Sequence, residues 1–243
     1  MRPPAPVILN APSVLLVTSH TVGSQPLLKP LEREFVRHML LVVAAYCGIE
    51  VVAFTIANSN FQVLIRIPKK STADAALTDA EVLQRIQILH GPRRHAWWAG
   101  WYRHGDPRWK AKRWQCVHAM HHRSRFMKIF KQRCGVWLND RHPEMPKGLW
   151  ADRYVSYPVE DNPRAILAAA AAVEMTLVHA RLVDDPAEYR WCSHARAQAG
   201  DLAARQSLMR RVPGVLGLEA NATWPKVSKT WRKFLLDPYL ERR

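Results

Sequence analysis

Two short apolar runs joined by a polar turn constrain this chain more than any other feature. Residues 49–56 (IEVVAFTI) and 61–67 (FQVLIRI) are the right length for buried strands, and the Ala-Asn-Ser-Asn between them is turn-prone, so a β-hairpin is predicted, ended by Pro68. Side chains two apart in a strand share a face. Asn60 and Gln62 therefore project together, and Phe61 projects to the other side. Upstream, residues 13–22 (SVLLVTSHTV) read as a strand. Residues 32–46 repeat apolar side chains at helical spacing (Phe35, Met39, Val42, Val43, Tyr46), with Gly48 as the stop. Strand, helix, strand, strand is the opening of an α+β domain.

Further along, Thr78 followed three residues later by Glu81 has the form of a capping box, and it predicts a helix to about residue 90. Gly91-Pro92 then opens a basic region. A long helix is predicted over 117–137, a loop entering a strand over 147–159, and an Ala-rich helix from Asn162-Pro163 to about residue 182. Asp184-Asp185-Pro186 breaks that helix, and another is predicted over 195–211. No period of 20 to 50 residues repeats, which argues against a solenoid. The expected organisation is an α+β domain over 1–200 with a basic, tryptophan-rich insertion at about 91–116, then a basic helical extension over 201–243.

Hydrophobic residues make up 48% of 243, enough for a sizeable core. Against 20 acids stand 36 lysines and arginines, a net charge of +16. So lopsided a balance points to an anionic partner, and nucleic acid is the leading class. No apolar run approaches the roughly 18 residues of a membrane span, so no membrane partner is expected. The first 17 residues carry one charge and four prolines and make a poor signal peptide. Cys47, Cys116, Cys134 and Cys192 are scattered without a CxxC pair, which fits a reducing, cytoplasmic setting better than a disulfide framework or zinc ribbon.

Between Arg93 and Arg133, 12 lysines and arginines face a single acid, Asp106, and five tryptophans are interleaved with them. Cations neutralise phosphates and indoles stack on unpaired bases, so this mixture suits single-stranded or structured nucleic acid, DNA or RNA. The candidate binding residues are Arg93, Arg94, Trp97, Trp98, Trp101, Arg103, Arg108, Trp109, Lys110, Lys112, Arg113, Trp114, Arg123, Arg125 and Lys128. The competing reading is that the tryptophans pack a local subcore under a solvated charged face. A second basic stretch (Lys226, Lys229, Arg232, Lys233, Arg242, Arg243, with Trp224 and Trp231) is equally readable as an amphipathic helix packed on the body. Cys116, His118, His121 and His122 cluster in sequence, but no further ligand pair completes a metal-site spacing, so His118 and His122 are weak metal candidates and no cofactor is expected.

Several segments, in order, resemble the REP-associated tyrosine transposases, a branch of the HUH single-strand DNA transposases. AFTIANSNFQVLIRIP is similar to a family strand close to MSNHFHLLVRVP. CGIEVVAFTI resembles the family's cysteine-glycine entry into its second strand, and SRFMKIFKQRCGVWLNDRH its long helix. KGLWADRYVSYPVED resembles GTLWEGRFKSVLVED, and RLVDDPAEYRWCSHARAQAG resembles GLVDDPADYRWSSYAEALAG. The likeness covers about residues 13–200. It implies a ferredoxin-like antiparallel sheet of four or five strands with helices packed on one face, and a homodimer.

In that family two strand histidines hold a divalent cation that polarises the scissile phosphate, and a helix-borne tyrosine attacks it. The resemblance puts Asn60 and Gln62 at the histidine positions and Ala172 at the tyrosine position, with Thr176 and Leu177 replacing the asparagine and proline that follow. Neutral amides are poor substitutes for imidazoles, and alanine is no nucleophile. The expected function is nucleic-acid binding without strand cleavage. The alternatives are an active transposase using Mg or Mn and displaced residues, and a structural subunit of a ribonucleoprotein or other assembly.

Overall fold

The computed structural model describes residues 13–69, 77–143, 148–151 and 153–237. Residues 1–12 of the segment read as a poor signal peptide, Lys147, and Arg242 and Arg243 of the basic tail lie outside the described residues. Four strands, β1 (Ser13–His20), β2 (Glu50–Ile56), β3 (Asn60–Ile67) and β4 (Val155–Val159), form one antiparallel sheet in the order β2-β3-β1-β4. Helix α1 (Pro30–Cys47) makes the crossover from β1 to β2, so the two strands run parallel with β3 between them. This is the ferredoxin-like arrangement within an α+β fold. Gly48 ends α1 in the left-handed region (φ 62°), and it cannot be replaced lightly: a Cβ there would lie 2.7 Å from His121 Nε2.

Period-two alternation splits the strands between two cores, because both sheet faces are covered. Leu15, Val17, Phe61, Val63 and Ile65 face a layer built from α1, α2 (Asp79–Arg103), α3 (Arg108–Ala119) and α4 (Arg123–Arg141). Val14, Leu64, Val52 and Ala53 face a second layer of α5 (Pro163–His179), α7 (Leu202–Leu216) and α8 (Trp224–Leu235). The expectation of helices on one face is corrected here. The apolar stripes of α5, α7 and α8 need a partner, and the second sheet face, carrying Val14 and Leu64, is the apolar surface that meets them. The C-terminal helices thus share a core with the sheet through Val212, Val227 and the fully buried Trp231.

Two predicted helices are broken in ways the sequence pattern conceals. The one expected over 117–137 is interrupted at Met120–His122, where His121 adopts φ 50° and its backbone N–H donates to the Cys47 carbonyl (2.8 Å). The one expected over 195–211 is instead α6 (Ser193–Gln198) and α7, divided at Gly200 (φ 99°). The region after residue 90, read as basic and otherwise unassigned, is helical.

A polar knot lies inside the second layer. Glu174 on α5 is fully buried, accepting hydrogen bonds from Ser193 Oγ (2.6 Å) and Trp231 Nε1 (2.9 Å). Burial pushes the Glu174 carboxyl up to about 7, against the lowering effect of those two donors. His194 is equally buried, with neither ring nitrogen hydrogen-bonded among the described residues, and burial brings it down to about 4.

Candidate nucleic-acid interface

The basic insertion forms a helical hairpin on the outer side of the first layer. Thr78 and Glu81 close a reciprocal capping box at the start of α2, as the sequence predicts. Gly91 (φ 75°, ψ 177°) and Pro92 then break the helix and re-aim its second arm, residues 93–103, so that the Trp98 ring sits 4.7 Å from His90. A turn at 104–107, with Gly105 at φ 64°, leads into α3. The turn is pinned by Asp106, which accepts from the Arg108 backbone and side chain.

The five tryptophans divide between the two roles weighed for them. Trp97 and Trp114 are 57% and 61% exposed, and Trp101 is half-buried against Trp97 with ring centroids 4.5 Å apart. Trp98 and Trp109 are 6% and 7% exposed. Trp109 is fixed from both sides, its Nε1 donating to Asp79 Oδ1 (3.0 Å) and its ring packed near Tyr102. Neither Trp98 nor Trp109 presents a free face to a base, so both are corrected from stacking residues to the hairpin's own core. For large rings the local subcore reading holds wherever a neighbour covers both faces.

The cations divide as well. Arg108 is occupied by Asp106, and Arg113 by Asp79 Oδ1 (3.1 Å) and the Leu77 carbonyl, so neither presents an open guanidinium. Among the described residues no carboxylate pairs with Arg93, Arg94, Arg103 or Lys110, all exposed. Arg123 donates to Ser156 Oγ (3.3 Å), joining α4 to β4, while Arg125 and Lys128 lie exposed on α4, off the hairpin. His118 stacks on Trp114 (4.7 Å, 11° between planes), and His122 Nδ1 accepts the Arg125 backbone N–H at the start of α4. Among the described residues no group of three or more His, Cys, Asp or Glu side chains gathers as a metal site.

At the base of the hairpin lies a cluster that sequence reasoning did not assemble. Lys112 Nζ stands 3.8 Å over the Trp98 ring, and an Arg133 guanidinium nitrogen lies 3.1 Å from His90 Nδ1. Burial first, and then the charges of Lys112, Arg133 and Arg94, lower the His90 pKa to about 3. Burial, then Arg94 and Arg133, also hold Lys112 below its ordinary value, against an opposing pull from Cys116. Arg133 is lowered by burial and then by Arg94. Arg133 sits within the basic run but on a different helix, and the one available signal was its spacing within that run.

On the opposite sheet face lie the positions that the transposase resemblance singles out. Gln62 is opposite Thr18 of β1 and Thr55 of β2, and Asn60 is opposite His20, so all five share one face. The Thr176 hydroxyl lies 3.1 Å from Gln62 Oε1 on the strand and 3.1 Å from the Ala172 carbonyl one turn back in its own helix. Ala172 is exposed beside an apolar groove lined by Met175, Phe234 and Leu235. Asn60 Oδ1 is buried without a hydrogen-bond partner among the described residues. One orphaned amide oxygen and the lone imidazole of His20, beside a hydroxyl-paired glutamine and with no carboxylate among these five residues, do not match the two-histidine cation site that the resemblance implies. Of the described tyrosines nearby, Tyr189 is tied to Arg33 and the Ile56 carbonyl, Tyr154 packs against the first core, and Tyr157 stands exposed on β4 opposite Leu16.

In fold the chain is similar to a REP-associated tyrosine transposase bound to a REP hairpin. That likeness covers 83% of this chain and 88% of the transposase, with 11% identity and a TM-score of 0.48. No family model and no curated protein matches the sequence. Among the described residues no helix is long and apolar enough to cross a membrane.

Proposed function

We propose that this is a cytoplasmic nucleic-acid-binding protein whose interface is the solvent face of the α2–α3 hairpin, built on a transposase-like frame without strand-cleavage chemistry. The observation that carries the reading is the pair of exposed indoles, Trp97 and Trp114, set among arginines and lysines that no described carboxylate neutralises. A solvated charged face has no use for two open indoles, whereas a single strand or hairpin loop uses both features together. Replacing Trp97 and Trp114 with alanine is expected to weaken binding of a single-stranded oligonucleotide by about 1 to 3 kcal/mol per stacked base, with little change in salt dependence. Fluorescence anisotropy measures it. Unchanged affinity in the folded double variant would remove the hairpin as the interface.

The absence of cleavage is proposed on Asn60, Gln62 and Ala172, which supply neither a cation cage nor a nucleophile. Incubation with single-stranded hairpin DNA and Mg²⁺ or Mn²⁺ is expected to leave no covalent protein–DNA adduct on a denaturing gel. A metal-dependent adduct would restore the enzyme reading and direct attention to the nearby tyrosines.

A further inference from the structure

We propose that Arg94, Lys112 and Arg133 form a seat for one phosphate group of the bound strand, at the base of the hairpin and beside the exposed Trp97. The inference rests on the binding function proposed above and gives it a point of register. Lys112, Trp98, His90 and Arg133 are linked by direct contacts: ammonium over indole at 3.8 Å, indole edge-on to imidazole at 4.7 Å, guanidinium to imidazole nitrogen at 3.1 Å. Arg94 is exposed on the arm that Gly91 re-aims, close enough for its charge to act on His90, Lys112 and Arg133.

Three features distinguish this cluster from an ordinary basic surface. Lys112 and Arg133 are half-buried rather than extended into water, so they have given up part of their hydration. No described carboxylate compensates them, although Asp79 and Asp106 elsewhere in the same hairpin each hold an arginine. Among the described residues Arg133 meets the neutral His90 and Lys112 meets the Trp98 ring face, and neither carries a negative charge. Like charges held together and partly dehydrated cost the free protein stability, and a bound anion is what converts that cost into affinity. Phosphate suits the site because two guanidinium groups and an ammonium can together engage the two non-bridging oxygens of an internucleotide phosphate or the three free oxygens of a terminal one.

The test compares Arg94→Gln and Lys112→Met, singly and together, with the native protein and with the Trp97/Trp114 alanine variant. Methionine keeps the Lys112 stem on Trp98 while removing the charge. The expected result is a thermal midpoint unchanged or raised, with affinity for a single-stranded oligonucleotide reduced roughly tenfold per cation. The slope of log affinity against log salt should fall by about 0.7 for the one phosphate lost. Oligonucleotides with and without a 5′-phosphate separate an end-group seat from a backbone seat, and loss of affinity by the variants on either probe supports the proposal. A lowered midpoint would show the cations to be structural and overturn it. If the charge variants bind normally while the tryptophan variant does not, the seat is refuted and the interface stands; if all bind normally, both readings fall.

Discussion

Trp231→Ala is expected to destabilise the protein by about 3 to 5 kcal/mol, the largest loss expected from a single substitution in the second layer. The indole is fully buried, stacks on Phe234 with centroids 5.3 Å apart, and supplies one of two hydrogen bonds to the buried Glu174 carboxyl. Trp231→Phe isolates the second contribution, since it keeps most of the ring volume and removes the N–H. Its cost depends on pH. Folding raises the Glu174 pKa from 4.5 to about 7, so the folded state binds the extra proton between those values. The stability from this group is complete below about pH 4.5 and is lost as pH rises through 7, a penalty on the order of 3 kcal/mol. Removing a donor to the anion raises that pKa further, so Trp231→Phe should cost more at pH 8 than at pH 5. His194, lowered to about 4, has the opposite sign and loses stability as pH falls from 6.5 through 4. Urea denaturation at both pH values checks the difference, and a cost independent of pH would mean that Glu174 does not titrate in this range.

Much of the frame was legible in the sequence because it rests on local signals. Short apolar runs joined by a turn-prone Ala-Asn-Ser-Asn marked β2 and β3, Gly48 marked the end of α1, and Thr78 with Glu81 marked the start of α2, each a signal that spans a few residues. Less legible was anything decided by what covers what. Trp97 and Trp98 are adjacent in sequence, yet one is open to solvent and the other lies against His90 and Lys112, because the Gly91 break sets the rotation of the second arm. The break at His121 depends on the carbonyl of Cys47, more than 70 residues away, and no window of sequence contains both. The second helical layer was missed for the same reason. The amphipathic pattern of α8 announces a buried face but not which surface receives it, and Trp231 and Glu174 meet only in three dimensions. Likewise the contact of the Thr176 hydroxyl on α5 with Gln62 Oε1 on β3 joins residues 114 apart, outside any local window.

The same distinction between open and occupied groups gives the largest expected effect on binding. Replacing Arg93, Arg94, Arg103 and Lys110 together with alanine should reduce the slope of log affinity against log salt by about 3 on a single strand, because each phosphate contact contributes roughly 0.7. Affinity at low salt should fall by orders of magnitude, while stability moves little because these side chains are exposed and carry no described ion pair. Arg108→Ala and Arg113→Ala provide the contrast. Their guanidinium groups already serve Asp106 and Asp79, so removing them deletes few phosphate contacts and should leave the slope nearly intact. Arg113→Ala also frees Asp79, whose Oδ1 still accepts from Trp109, so its effect should appear in hairpin stability rather than in binding. Titrations at three or more salt concentrations, on variants shown by circular dichroism to be folded, separate the two sets. If the slope responds equally to both, binding follows net charge alone, and the specific geometry of the hairpin has no part in it.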